Sequence, residues 1–164
     1  MRLRAATFRD IPLLRRWETA DHVAAAGVAG WDWEDMLSDD PDWRDCLIAE
    51  RAGAPLGFVQ IVDPAREPTG YWGGRPPHAR AVDIWIGEAR RLGKGLGTAI
   101  MRRTLRRCFA DAGVATVVVD PLTANTKAHR FYRRLGFVLV ERRRFRDGDC
   151  SIFQLTRAAW RDGA

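Results

Sequence analysis

Residues 92–98 of this 164-residue chain read Leu-Gly-Lys-Gly-Leu-Gly-Thr. Glycines at 93, 95 and 97 let a backbone pass close to a ligand. A helix starting directly after them aims unpaired N–H groups at an anion. The spacing is neither GxGxxG nor GxxxxGK[ST], so it fits neither the dinucleotide fingerprint nor the nucleotide-triphosphate loop. Two readings stand for the glycines alone, a pyrophosphate cradle and a glycine-rich surface turn. Other residues able to do chemistry lie on either side. They are Asp83 on the run before the loop, Asp120 and Asn125 after an apolar run, Tyr132 on a helix-like stripe, and Asp147 in an Asp-Gly-Asp turn.

These residues need elements to carry them. Asp10 reads as a helix N-cap with Pro12 in the first turn, and Leu13, Leu14 and Trp17 fall on one helical face. Cys46–Glu50 and Leu56–Val62 read as strands joined by the turn 51–55. Residues 63–79, rich in Pro and Gly around Tyr71 and Trp72, read as a loop. Arg80–Glu88 reads as a strand, with Val82, Ile84 and Ile86 on one face and Asp83 and Trp85 on the other. Leu96–Ala112 reads as a helix with Ile100, Met101, Thr104, Leu105 and Cys108 inward and Arg102, Arg103, Arg106 and Arg107 outward. Val114–Val119 has the near-continuous β-branched character of a strand buried on both faces. Ala128, Phe131, Tyr132 and Leu135 mark a further helix that closes at Gly136. Phe137–Phe145 and Ser151–Leu155 are the last two strands. The order predicts an α/β (α+β) fold, a mixed central sheet flanked by helices, with a parallel crossover through the glycine loop. By length it is a single domain spanning residues 1–164.

Charge is segregated. Residues 1–89 carry a net −5, residues 90–146 a net +12 and residues 147–164 a net −1, giving the overall +6. One half suits an anion and the other a cation, as a two-substrate enzyme requires; a basic binding face beside an unrelated acidic surface has the same signature. Segment 30–45 concentrates seven acids and three tryptophans. Dimer contact, lid and core are all open for those tryptophans. The three cysteines, at 46, 108 and 150, suggest neither a disulfide framework nor a metal knuckle, and the histidines have no metal spacing. The expectation is a cytoplasmic protein with no metal and no membrane partner, since no apolar run reaches the length of a span and no secretory pattern opens the chain.

At the level of motifs the chain resembles the GNAT superfamily of N-acetyltransferases, over nearly its full length and most strongly over 80–137. The superfamily's acetyl-CoA loop has the form Gln/Arg-x-x-Gly-x-Gly/Ala, here Leu92-Gly93-Lys94-Gly95-Leu96-Gly97. Leu92 departs by replacing a polar residue; the backbone amides are unaffected. The second signature, Asn125-x-x-Ala128-x-x-x-Tyr132-x-x-x-Gly136-Phe137, is complete. The resemblance implies a splayed strand pair holding acetyl-CoA, with Trp85, Ile86, Gly93, Lys94, Gly95, Leu96, Gly97, Thr98, Asn125 and Ala128 contacting it. It also implies that Tyr132 protonates the departing CoA thiolate. Asn125 doubles as a helix N-cap candidate, and Tyr132 as a core tyrosine whose hydroxyl alone is functional. Within the superfamily the chain is similar to aminoglycoside 6′-N-acetyltransferases with an Ile-Asp strand, an Asp-Pro turn and a late Asp-Gly turn, matched by Val82-Asp83, Asp120-Pro121 and Asp147-Gly148. That likeness implies that Tyr71, Trp72, Asp83, Asp120 and Asp147 bind a polycationic acceptor. Thr69 departs from an acidic position, and segment 27–45 differs in sequence.

Amine acetylation sets its own demand. An amine of pKa about 10 is neutral only about one part in a thousand at pH 7, a cost of about 4 kcal/mol. A carboxylate that holds the cation and then takes its proton, directly or through water, meets that demand. Asp83, pointing away from the Val82/Ile84/Ile86 face, is the candidate base, with a structural salt bridge as its other reading. Direct attack is favoured over a covalent enzyme intermediate, because no cysteine falls near the Asp83 or Tyr132 motifs. The expected acceptor is a small cationic amine, an aminoglycoside first. A protein, polyamine or metabolite amine is the alternative. A basic nucleic-acid-binding module and a catalytically silent acyl-CoA-binding regulator are the non-enzymatic ones. No nucleic-acid partner is expected, since the basic residues surround a ligand loop rather than interleave with aromatics. Monomer and homodimer both remain open.

Overall fold

The computed structural model describes residues 1–27, 30–39, 41–73, 78–145 and 148–163. Seven strands form one mixed sheet: β1 (Arg2–Ala5), β2 (Arg44–Arg51), β3 (Ala54–Val62), β4 (Ala79–Ile86), β5 (Thr116–Val119), β6 (Val138–Phe145) and β7 (Gly148–Thr156), in the order β1-β2-β3-β4-β5-β7-β6. The helices are α1 (Ile11–Glu18), α2 (Asp21–Ala24), α3 (Trp33–Ser38), α4 (Leu96–Ala110), α5 (Thr126–Arg134) and α6 (Arg157–Asp162). The residues form two compact units.

The first unit comprises Met1–Ile61 and Asp83–Thr104. Its β1 pairs antiparallel with β2, Arg2 opposite Glu50 and Ala5 opposite Leu47. Arg4 ties this edge to the first helical turn. Its guanidinium donates to both Asp10 oxygens at 2.7 and 2.8 Å and to Glu50 at 3.0 Å. Asp10 also accepts from the Thr7 backbone at 2.9 Å. Asp10 does precede α1, as its sequence position predicts, but its carboxylate closes the turn before the helix rather than capping the helix itself. The core joins Ile11, Leu14, Trp17, Val23, Trp33, Ile48, Phe58 and Trp85. Phe58 and Trp85 stack at 4.6 Å, and Trp31 and Trp33 meet them edge-on. Glu18 on α1 accepts from the Trp33 indole at 2.8 Å and the Trp31 backbone at 3.0 Å, which orders the acidic segment. Trp33 is therefore core, and α3 is a helix that the sequence reading did not resolve. β3 and β4 approach closely at Gly57, where a Cβ would lie 2.2 Å from the Trp85 carbonyl oxygen.

The second unit comprises Val62–Val82 and Leu105–Ala164. The start of β4 runs parallel to β5, Ala79 with Thr116 through Ala81 with Val118, as the crossover through α4 predicts. β5 pairs antiparallel with β7, and β6 with β7, with an irregularity between Leu139 and Glu141. Val117, Val118, Val119, Ile152, Phe153 and Leu155 are buried, so β5 is covered on both faces. Arg157 at the start of α6 donates to the carbonyls of Phe109, Asp111 and Val114 and so satisfies the end of α4. On α4 the side chains of Ile100, Met101, Thr104, Leu105 and Cys108 are buried, and Arg102, Arg103, Arg106 and Arg107 are exposed, as periodicity predicts. β7 begins earlier than expected, taking in Gly148 and Asp149.

Candidate active site

In the first unit the chain leaves β4 at Ile86 under tight control. His22 on α2 faces the Ile86 carbonyl at 2.7 Å, so its Nε2 carries the proton. The Gly87 N–H donates to the Leu56 carbonyl at 3.0 Å. A Cβ on Gly87 would lie 1.9 Å from the buried Trp17 ring, so only glycine fits there. The Trp17 indole donates to Glu88 at 3.3 Å. That bond holds the Glu88 carboxyl below the ordinary range against the opposing effect of burial, with Arg16 and Arg90 adding to it. Arg91 donates to the Pro55 carbonyl at 3.1 Å.

Beyond these anchors the loop opens to solvent. Gly93 and Gly95 sit at φ +73° and +74°, and a Cβ at either would meet nothing within 4 Å. Leu96 starts a fifteen-residue helix. Glycine at 93 and 95 is therefore demanded by conformation and leaves the outer side of the loop clear. The helix start beyond favours an anion by roughly 0.3–1 kcal/mol per charge. Asp83 lies half-buried on the same strand, four residues before Gly87.

In the second unit a turn follows β5. Asp120 heads it, and the turn is pinned on both sides. Thr123 N–H donates to the Asp149 carbonyl at 2.7 Å, Ser151 N–H to Pro121 at 2.9 Å, and His129 faces the Leu122 carbonyl at 3.1 Å. Asn125 caps α5 by accepting from Ala128 N–H at 3.1 Å. The Tyr71 hydroxyl donates to Asp120 Oδ2 at 2.8 Å, and the Tyr71 ring lies parallel to Phe145 at 4.3 Å. A carboxylate beside an aromatic face suits a hydroxylated, cationic ligand. Tyr132 is buried among Phe131, Phe137 and Phe153, with ring centroids 5.1, 5.5 and 6.4 Å away.

Residues 7–145 match the sequence model of the acetyltransferase (GNAT) domain. The chain belongs to the GNAT acetyltransferase family. It is 28% identical over 149 residues to the aminoglycoside N(6′)-acetyltransferase type 1 of Klebsiella pneumoniae, covering 82% of this chain and 72% of that protein. Its structure is similar to that of the aminoglycoside acetyltransferase AAC(6′)-Ib in complex with coenzyme A, with a TM-score of 0.87 at 27% identity over 98% of this chain and 96% of that one. The same enzyme in complex with coenzyme A and kanamycin gives 0.86 at 27% identity and equal coverage.

Within this GNAT domain the expected site residues fall in two sets. Asp83, Ile86, Gly93, Lys94, Gly95, Leu96, Gly97 and Thr98 share the first unit; Tyr71, Trp72, Asp120, Asn125, Ala128 and Tyr132 share the second. Asp147 lies outside the described residues. The Trp85 ring belongs to the aromatic core, with its Nε1 buried and without a hydrogen-bond partner, so only its main chain is available to a ligand. Trp72 is also buried, so of the Tyr71–Trp72 pair it is Tyr71 that meets Asp120. Sequence reasoning missed His22 and Gly87, which fix the approach to the loop. Gly87 falls inside the run Arg80–Glu88, and its need for glycine comes from the Trp17 ring, distant in sequence; His22 acts through a backbone carbonyl 64 residues away and leaves no local pattern.

Among the described residues no group of His, Cys, Asp and Glu is arranged to hold a metal, and no helix is long and apolar enough to cross a membrane.

Proposed function

We propose that this protein transfers an acetyl group from acetyl-CoA to a primary amine of a small polycation, the 6′-amine of an aminoglycoside first, and so confers resistance to such drugs. The observation that carries the acceptor class is Asp120, held on a pinned turn with the Tyr71 hydroxyl on one oxygen and the Tyr71 ring itself stacked on Phe145. The open loop at Gly93 and Gly95 fits the pyrophosphate of the donor, which supplies the thioester acyl group.

The protein's own residues divide the work. Loop amides and the α4 start hold the diphosphate. Asp120, Tyr71 and Asp147 hold acceptor ammonium and hydroxyl groups. Asp83 takes the proton from the reacting ammonium and leaves a neutral nucleophile. The amine nitrogen forms its bond to the thioester carbonyl carbon as the C–S bond breaks, Tyr132 gives its hydroxyl proton to the departing thiolate, and the nitrogen's second proton restores the tyrosine hydroxyl.

One observation favours a broader acceptor range. Glu67 stands two residues before Thr69, the position that is acidic in the drug-modifying enzymes it resembles. Its carboxylate accepts from the backbone N–H groups of Thr69 at 2.7 Å and Tyr71 at 3.0 Å. The loop's acid thus orders the loop itself. A polyamine, metabolite or protein amine is the second reading. Thiol release from acetyl-CoA with kanamycin, spermidine and a lysine peptide separates the two. Turnover of kanamycin above the others supports the aminoglycoside; turnover of spermidine or peptide alone refutes it.

A further inference from the structure

We propose that Arg143 and Glu141 on β6 are positioning residues that set the Tyr71–Asp120 face and thereby govern affinity for a cationic acceptor; this rests on the reading of Asp120 as an acceptor ligand. Tyr71 lies outside the strands, on a segment that Glu67 orders locally. From β6 a further hold reaches it at the Trp72 carbonyl, which accepts from the Arg143 guanidinium at 2.9 Å. Gly73 follows at φ +55°, and a Cβ there would stand 2.9 Å from that guanidinium. A side chain at 73 would push the cation away, so glycine and arginine are matched.

The alternation of a strand does the rest. Along β6, Val138, Val140, Arg142 and Arg144 are exposed, whereas Glu141, Arg143 and Phe145 share the covered face. Phe145 supplies the parallel surface under Tyr71, and the Arg143 guanidinium lies 5.6 Å from the Phe145 ring centroid. One face of one strand therefore fixes both the backbone of Trp72 and the ring of Tyr71. The Tyr71 hydroxyl donates to Asp120, so the same face also sets one of the carboxylate's hydrogen bonds.

Glu141 has two effects. It accepts from Arg143 Nε at 2.8 Å and from a second guanidinium nitrogen at 3.2 Å, which orients the fork toward Trp72. It also balances the arginine's charge. An unbalanced cation on the face that carries Tyr71 would oppose a cationic ligand, and salt would relieve the opposition.

The test uses the full chain with acetyl-CoA and kanamycin. Arg143→Gln should raise the kanamycin KM about tenfold, the loss of one charge-assisted hydrogen bond, while the acetyl-CoA KM and kcat stay within about twofold. Arg143→Lys should recover part of that loss. Glu141→Gln should raise the kanamycin KM by an amount that shrinks between low and high salt. In a Tyr71→Phe background, Arg143→Gln should cost clearly less than in the wild type, because both act on the same carboxylate. Equal effects on both substrates' KM, strict additivity with Tyr71→Phe, or an unchanged kanamycin KM would overturn the proposal. Hydrogen exchange of segment 69–73 gives a readout without turnover. Arg143→Gln should speed exchange at Tyr71 and Gly73, and unchanged protection overturns the positioning role. A wild-type enzyme inactive on kanamycin would instead refute the acceptor reading, and the exchange measurement would still decide the latch.

Discussion

Tyr132 combines a packing role and a proposed chemical role in one side chain, and the two separate cleanly. Its ring fills space among Phe131, Phe137 and Phe153. Tyr132→Phe keeps that ring, so stability should change by no more than about 1 kcal/mol. In a chain of this length that is a Tm shift of about 2–4 °C. Tyr132→Ala removes the ring and should cost about 3–5 kcal/mol. The chemical role reads out in rate. The barrier to thiolate departure is set by the leaving sulfur and by a donor placed on it, and the bulk pH does not change that sulfur's intrinsic leaving ability. Tyr132→Phe should therefore slow kcat about hundredfold, by a ratio to wild type that changes little between about pH 6.5 and about pH 8.5. The assay is thiol release under saturating substrates, wild type against variant at each pH, with thermal melts alongside. A kcat within about twofold of wild type, with the melt unchanged, would refute Tyr132 as the acid.

Three further outcomes are expected. Asp83→Asn should lower kcat/KM for the amine about hundredfold or more, with acetyl-CoA affinity by calorimetry unchanged; near-normal turnover would remove it as the base. Gly95→Ala places a methyl at φ +74° with no protein atom within 4 Å. It should cost about 1 kcal/mol of stability yet raise the acetyl-CoA KM about tenfold, and an unaffected KM would mean the loop does not approach the donor. Asp10 is held below its ordinary 3.8 first by the Arg4 hydrogen bonds, against burial, with Thr7 assisting. A depressed carboxyl contributes stability above its unfolded pKa and loses it as pH falls through the folded value. Asp10→Asn should thus be about 2 kcal/mol less stable than wild type at pH 7, and the gap should close as the pH falls below 3.8.

The strand–glycine–helix–strand run was legible because each part carries its own signal. Buried positions on α4 repeat with helical period, β5 is β-branched throughout, and the glycines at 93 and 95 take the positive φ their type allows. The parallel pairing of β4 with β5 followed from the crossover. What escaped were elements whose reason is tertiary. β1 is four residues, two of them arginines, held by Arg4 reaching Asp10 and Glu50. α3 sits in an acid-rich stretch and is fixed by the Trp33 indole on Glu18. Trp85 stands two residues after Asp83 on β4, the spacing of one strand face, but nothing local says that its ring stacks on Phe58. The acids at 83 and 120 could be named from sequence. The hydroxyl of Tyr71 on Asp120 could not, because it joins residues 49 apart through a loop without periodicity.

The acceptor's identity can be read from one competition. Purified protein, acetyl-CoA and equimolar kanamycin, spermidine and lysine peptide react together, and the acetylated products are identified by mass and by NMR position. Kanamycin acetylated on its 6′-amine should be the principal product. Acetylation of spermidine or peptide with kanamycin untouched would overturn the aminoglycoside assignment.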